Sequence, residues 1–151
     1  MSDFHPESKR PDEDRVCLWS LQLQLLELAE EKFGPRDSSY QICQPVFNSG
    51  NPYIIVAENR DAYASLSLAS AGYWPTAIFE LAHETVHLLN PSAGQGNYLE
   101  EGYAVAFSLE MGKTIGGENQ PIGPRHYQEA LQLVQALHGG VYQSGRLIRE
   151  R

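Results

Sequence analysis

The chain has 151 residues, 42% of them hydrophobic and 20% charged, with a formal net charge of −8. These are globular proportions for one domain large enough to build its own core, and the negative balance argues against general nucleic-acid or anionic-membrane binding. No stretch approaches the roughly eighteen apolar residues of a membrane span, and Met1 to Arg15 lacks the apolar core of a signal peptide, so a cytoplasmic location is expected.

In chain order, residues 1–11 read as a flexible tail rich in charge, proline and serine, leaving 12–151 as a single domain. A helix is expected from about Asp12 to Phe33. The acidic cluster Asp12-Glu13-Asp14 suits its start and Gly34-Pro35 ends it. Leu18, Leu21, Leu25 and Leu28 mark its buried face, widened by Leu23 and Leu26. Cys17 and Cys43 are far apart and in no metal-ligand spacing, so they read as buried thiols, with a disulfide between them as the alternative. Strands are expected at 41–47 and 53–57, separated by the turn cluster Asn48-Ser49-Gly50-Asn51-Pro52, and at 62–69, where small or apolar residues alternate with Tyr63, Ser65 and Ser67.

The next helix, from Pro75 or Thr76 to Leu89, carries the most informative residues. Pro75 suits a first turn and Pro91 lies just past the end. Ile78, Phe79, Leu81, Ala82, Val86, Leu88 and Leu89 make most of its circumference apolar, which predicts a central buried helix. His83-Glu84-Thr85-Val86-His87 interrupts that surface. Residues four apart on a helix lie one above the other, so His83 and His87 can reach one cation. Glu84 sits about 100° round the helix from His83, off the ligand line but close enough to polarise a water. Polar groups on a buried helix are costly unless satisfied, and a metal would satisfy these.

A catalytic zinc site takes three protein ligands and keeps one open position, so one ligand remains to be found. After the turn residues Asn90 to Gly96 the chain resumes as a helix, with Asn97 as its N-cap and Ala104-Val105-Ala106-Phe107 as its apolar run. A short connection makes the two helices antiparallel neighbours. A carboxylate in the first turn of the second, Glu100 or Glu101, can then face the histidines.

The two motifs together resemble the gluzincin branch of the zincin metallopeptidases, which combine H-E-x-x-H with a glutamate on the following helix. Glu101-Gly102-Tyr103-Ala104 is similar to the segment that bears that glutamate in the thermolysin-related aminopeptidases. The resemblance covers residues 76–108, about a fifth of the chain. It implies His83, His87 and Glu101 as ligands of one Zn²⁺ and Glu84 as general base. Only thirteen residues separate His87 from Glu101, fewer than in the larger families, so small gluzincins built of little more than a catalytic core are the closer comparison. The metzincin continuation is absent after His87. The aspartate that a thermolysin-type helix carries four residues past its glutamate is replaced by Val105, so Glu100 and Glu80 become the candidates to orient a ligating histidine.

The resemblance further implies an α+β, zincin-like fold, a small mixed or antiparallel sheet packed on a central H-E-x-x-H helix with further helices. It assigns residues 62–69 to the edge of a substrate cleft, where an extended peptide adds by backbone hydrogen bonds. A donor to the tetrahedral oxyanion is expected from the C-terminal part, with Tyr142 favoured over His126 and Tyr127. That part reads as a helix from Arg125 to His138, with Tyr127, Ala130, Leu131, Val134 and Leu137 as core, followed by a tail, 141–151, expected as a short strand or extension. The expected function is zinc-dependent hydrolysis of peptide bonds in a peptide or protein substrate. A zincin-like metal-binding module that regulates or interacts without cleaving is the alternative, which the retention of Glu84 disfavours.

Overall fold

The computed structural model describes residues 9–93, 98–117, 125–137 and 140–149. Among them are six α-helices and a sheet of four short strands, an α+β arrangement. Helix α1, Arg15–Phe33, starts where the Asp14 side chain accepts from the Cys17 amide at 3.0 Å and ends at Gly34, whose positive φ of 96° closes the last turn. Leu18, Leu21, Leu25, Leu26, Ala29 and Phe33 are buried as the leucine spacing requires. Leu23 is not part of that face: it is 46% exposed, and the neighbouring position on the inner face is taken by Gln22, fully buried. Lys9, within the segment read from sequence as tail, and Asp12, the expected start of the domain, are both tied down. Trp74 Nε1 donates to the Lys9 carbonyl at 2.8 Å, and the Asp12 amide to the Ala71 carbonyl at 3.2 Å.

Strands β1, Gln41–Ile42, and β2, Val46–Asn48, run parallel to β4, Asp61–Ser67, while β3, Tyr53–Val56, is antiparallel to it. Ala62 pairs with both Ile42 and Val56, and Ser65 with both Val46 and Tyr53. A strand residue has only two edges, so β1 and β2 share one side of β4 and β3 takes the other. The expected cleft-edge role of 62–69 is therefore corrected: β4 is the interior strand of the sheet, flanked by β1 and β2 on one side and by β3 on the other. Ala62, Ala64 and Leu66 alternate along it and are fully buried. The strand ends where Ser67 begins the short helix α2, Leu68–Ala71.

Helix α3, Trp74–Leu88, carries Pro75 in its first turn and is the hub of the molecule. It packs against α1, α2, β3, β4 and helix α4, Tyr98–Thr114. Residues 81–89 are all buried, as the apolar circumference predicts. Helix α5, Arg125–Gln135, lies on α4 and places Ala130, Leu131 and Val134 in the interior. The expected C-terminal strand or extension is instead helix α6, Gly140–Arg149, packed on α1, α4 and α5. Gly145 makes the approach possible, since a Cβ there would stand 2.8 Å from the Phe33 ring. Tyr103 of α4 and Ser144 of α6 are joined by a 2.9 Å hydroxyl hydrogen bond. Cys17 and Cys43 form no disulfide with each other and are both only partly buried. No helix among the described residues is long and apolar enough to cross a membrane.

The glycine of the Glu-Gly-Tyr-Ala segment has a steric reason. A Cβ on Gly102 would lie 2.3 Å from the Ala130 carbonyl oxygen and 2.8 Å from Val134 Cγ1, so α5 can sit on α4 only over a bare backbone. Gly102→Ala is expected to force the helices apart and to cost about 1–3 kcal/mol of stability, the range for overpacking a filled interior. Urea unfolding monitored by circular dichroism measures it.

Candidate metal centre

Two helices build the centre. On α3, one helical turn stacks His83 and His87, with ring centroids 5.2 Å apart. The first turn of α4 brings Glu101 between them. Its Oε2 is 3.1 Å from His83 Nε2 and its Oε1 is 2.8 Å from His87 Nε2. The three side chains are 7%, 1% and 7% exposed in the order His83, His87 and Glu101, and their ligating atoms all lie within 4.8 Å of one another. Two imidazole nitrogens and a carboxylate oxygen converging in this way can hold one divalent cation.

His87 provides the test of fit. Its Nδ1 lies 2.9 Å from Glu100 Oε1, a hydrogen bond in which the ring nitrogen donates to the carboxylate. In the neutral ring that leaves a lone pair on Nε2. This atom is buried and makes no hydrogen bond, although Glu101 Oε1 stands 2.8 Å away. A nitrogen lone pair facing a carboxylate oxygen at that distance is repulsive unless a positive charge lies between them. A proton or a metal ion supplies it. The donor set therefore fits the cation that the sequence pattern implies.

The electrostatics of the metal-free protein express the same demand. Burial works against a charged His87, but the carboxylates of Glu100 and Glu101 outweigh it and push its pKa up to about 10. Burial likewise opposes ionisation of Glu101, and the two histidines overcome it, bringing its pKa down to about 2. Glu84, 2% exposed, is raised above its ordinary value by burial, with the histidines pulling the other way.

The acidic candidates separate cleanly. Glu100 is the residue placed against a histidine. Glu80 is not: its Oε1 accepts from the Ser67 amide at 3.0 Å and from Ser70 Oγ at 2.5 Å, and its Oε2 from Ser67 Oγ at 2.6 Å. It fastens α3 to the end of β4 and the start of α2. Tyr142 is also placed elsewhere than expected. Its ring packs 5.2 Å from that of Phe33 with the Lys32 ammonium 4.4 Å from its centroid, and its hydroxyl bonds Glu110, nine residues beyond Glu101 on α4. At 1.5 Å per residue that is about 13 Å along the helix, so the structure does not bring Tyr142 to the histidines. Burial foremost, then the negative Glu110, raises its pKa. The side chains of His126 and Tyr127 lie outside the described residues.

One supporting contact escapes the sequence reading. Gln22 Nε2 donates to Thr85 Oγ1 at 2.9 Å, and Thr85 Oγ1 donates in turn to the Leu81 carbonyl at 2.6 Å. This buried chain ties α1 to the middle of the H-E-x-x-H turn. Its trace in the sequence is a glutamine within the leucine run Leu21-Gln22-Leu23. Compared with protein-family models, curated proteins and solved structures, the chain matches none. The gluzincin likeness thus rests on the residues of α3 and α4 themselves.

Glu101→Ala is expected to abolish stoichiometric zinc uptake, while Glu80→Ala keeps the metal and lowers the melting temperature; metal analysis and thermal denaturation of the two variants check this. The pH dependence of the metal-free chain follows from the signs. His87, raised from 6.5 to about 10, contributes stability that is complete below pH 6.5 and lost as pH rises through 10. Glu101, lowered from 4.5 to about 2, contributes stability complete above pH 4.5 and lost as pH falls toward 2. Glu84, raised above 4.5 by burial, contributes stability complete below pH 4.5 and lost as pH rises above it. A melting series without metal should therefore decline above pH 6.5 and below pH 4.5. The stabilisation given by added zinc should grow from about pH 6 to 8, because the ligands must lose their protons to bind it.

Proposed function

We propose that this chain is a zinc-dependent metallopeptidase of the zincin, gluzincin-like type, acting on peptide bonds of a peptide or protein substrate. The observation that carries the reading is Glu84, buried beside a His83, His87 and Glu101 cluster whose ligand atoms lie within 4.8 Å. A centre that only stores metal has no need of a fourth, non-ligating acid at that position. Zinc is favoured over other divalent ions because two imidazoles and one carboxylate form a donor set typical of catalytic zinc.

Bound there, zinc would supply Lewis acidity, lowering the pKa of water and polarising the scissile carbonyl. The chain's own residues do the rest. Glu84 takes a proton from the attacking water onto its carboxylate as the C–O bond forms, and delivers it to the amide nitrogen as the C–N bond breaks. The products are a carboxylic acid and an amine, which pass the acid's remaining proton to the amine and leave as carboxylate and ammonium, and Glu84 returns to its starting state. Glu101 and the histidines keep the site fixed from both helices.

Zinc-loaded wild type is expected to cleave a fluorogenic peptide library, and Glu84→Gln to lose about 10²–10⁴-fold in rate, the range for a general base, while retaining its zinc. Undiminished cleavage by Glu84→Gln would refute the role of Glu84. Zinc retention with no cleavage by wild type would favour the metal-binding module instead.

A further inference from the structure

We propose that Glu100 is a positioning residue that fixes the ring of His87 for metal capture, an inference that rests on the metal-centre reading above. Glu100 and Glu101 are consecutive on α4, about 100° apart around its axis. That offset lets them approach opposite edges of one imidazole: Glu100 Oε1 is 2.9 Å from Nδ1, and Glu101 Oε1 is 2.8 Å from Nε2. The dipeptide divides the work. One carboxylate holds the proton on Nδ1, so the lone pair must appear on Nε2, and the other carboxylate ligates beside it.

The other positions that could orient this ring are occupied otherwise. Val105, where the thermolysin pattern has aspartate, is 1% exposed within the hydrophobic core. Glu80 is consumed by Ser67 and Ser70. The Glu100 side chain is 16% exposed, turned over the His87 ring although it stands at the outer end of α4. A glutamate with only a solvation role has no reason to surrender that much water. Its carboxylate puts negative charge on the Nδ1 side of the ring, and a partner of this kind both fixes the ring's tautomer and raises its basicity toward a metal through Nε2.

Zinc affinity by chelator competition, together with proton NMR of the His87 Nδ1–H in the zinc-loaded protein, tests this on wild type, Glu100→Gln and Glu100→Ala. Wild type should show that proton downfield and slow to exchange. Glu100→Ala should lose about 10–100-fold in zinc affinity, the usual effect of removing such a partner, with the proton shifted upfield and exchange-broadened. Glu100→Gln, which keeps an acceptor without the charge, should retain the resonance and lose less affinity. Unchanged affinity in Glu100→Ala, or an unchanged His87 proton in it, overturns the positioning role. If Glu100→Ala does not fold, Glu100→Gln decides: a resonance retained at an upfield shift supports the role, and identity with wild type in both readouts overturns it. A wild-type chain that takes up no zinc overturns the metal reading itself and this inference with it, whereas zinc-loaded wild type with indifferent Glu100 variants leaves the metal reading standing.

Discussion

The structure turns on one buried carboxylate set between two imidazoles. Glu101 reaches from α4 to nitrogens of His83 and His87 on α3, with Glu84 and Glu100 close by. Three acidic side chains crowded around two rings in a largely dry interior require positive charge among them. The metal-free protein meets the requirement by protonating His87, and a divalent cation would meet it better, because it satisfies Nε2 and both neighbouring donors at once. The position of α4 relative to α3 is thus an electrostatic matter as much as a packing one.

The surrounding architecture serves to hold that pair of helices. α3 and the residue after it are buried along 81–89, and two side-chain ties fix the helix. Glu80 ties its first half to the β4–α2 junction through two serines, and Gln22 grips Thr85 from α1 on the side away from the ligands. α4 is held by α5, whose close approach needs Gly102, and by α6 through Tyr103 and Ser144. Glu101 therefore sits immediately before Gly102, over whose bare backbone α5 packs. A ligand placed there has little freedom to move away from the histidines.

Much of this was legible in the residues. His83, His87 and Glu84 follow from helical periodicity alone, and Glu101 from the likeness of a four-residue segment. The leucine spacing located most of the buried face of α1, and the apolar circumference of 78–89 predicted a central helix. What was not legible depends on tertiary partners. The resemblance placed 62–69 at a cleft edge, yet β4 is interior, with Ala62, Ala64 and Leu66 buried and α3 packed against it. Residues 141–151 were expected as a short strand or extension, and Gly145 instead lets α6 lie against Phe33. Tyr142 was drawn to the site by its place in the chain, but Phe33, Lys32 and Glu110 hold it on the far part of α4. Glu80 and Glu100 were equivalent on paper; Ser67 and Ser70 hold the first, and His87 the second.

The most direct test of the central claim is X-ray absorption at the zinc edge of the purified, zinc-loaded chain. One zinc per chain, bound by two imidazole nitrogens and a carboxylate oxygen with any further ligand an oxygen from water, is the predicted result. Sulfur in the first coordination sphere, which would point to Cys17 or Cys43, or failure to retain zinc in stoichiometric amount, would contradict it.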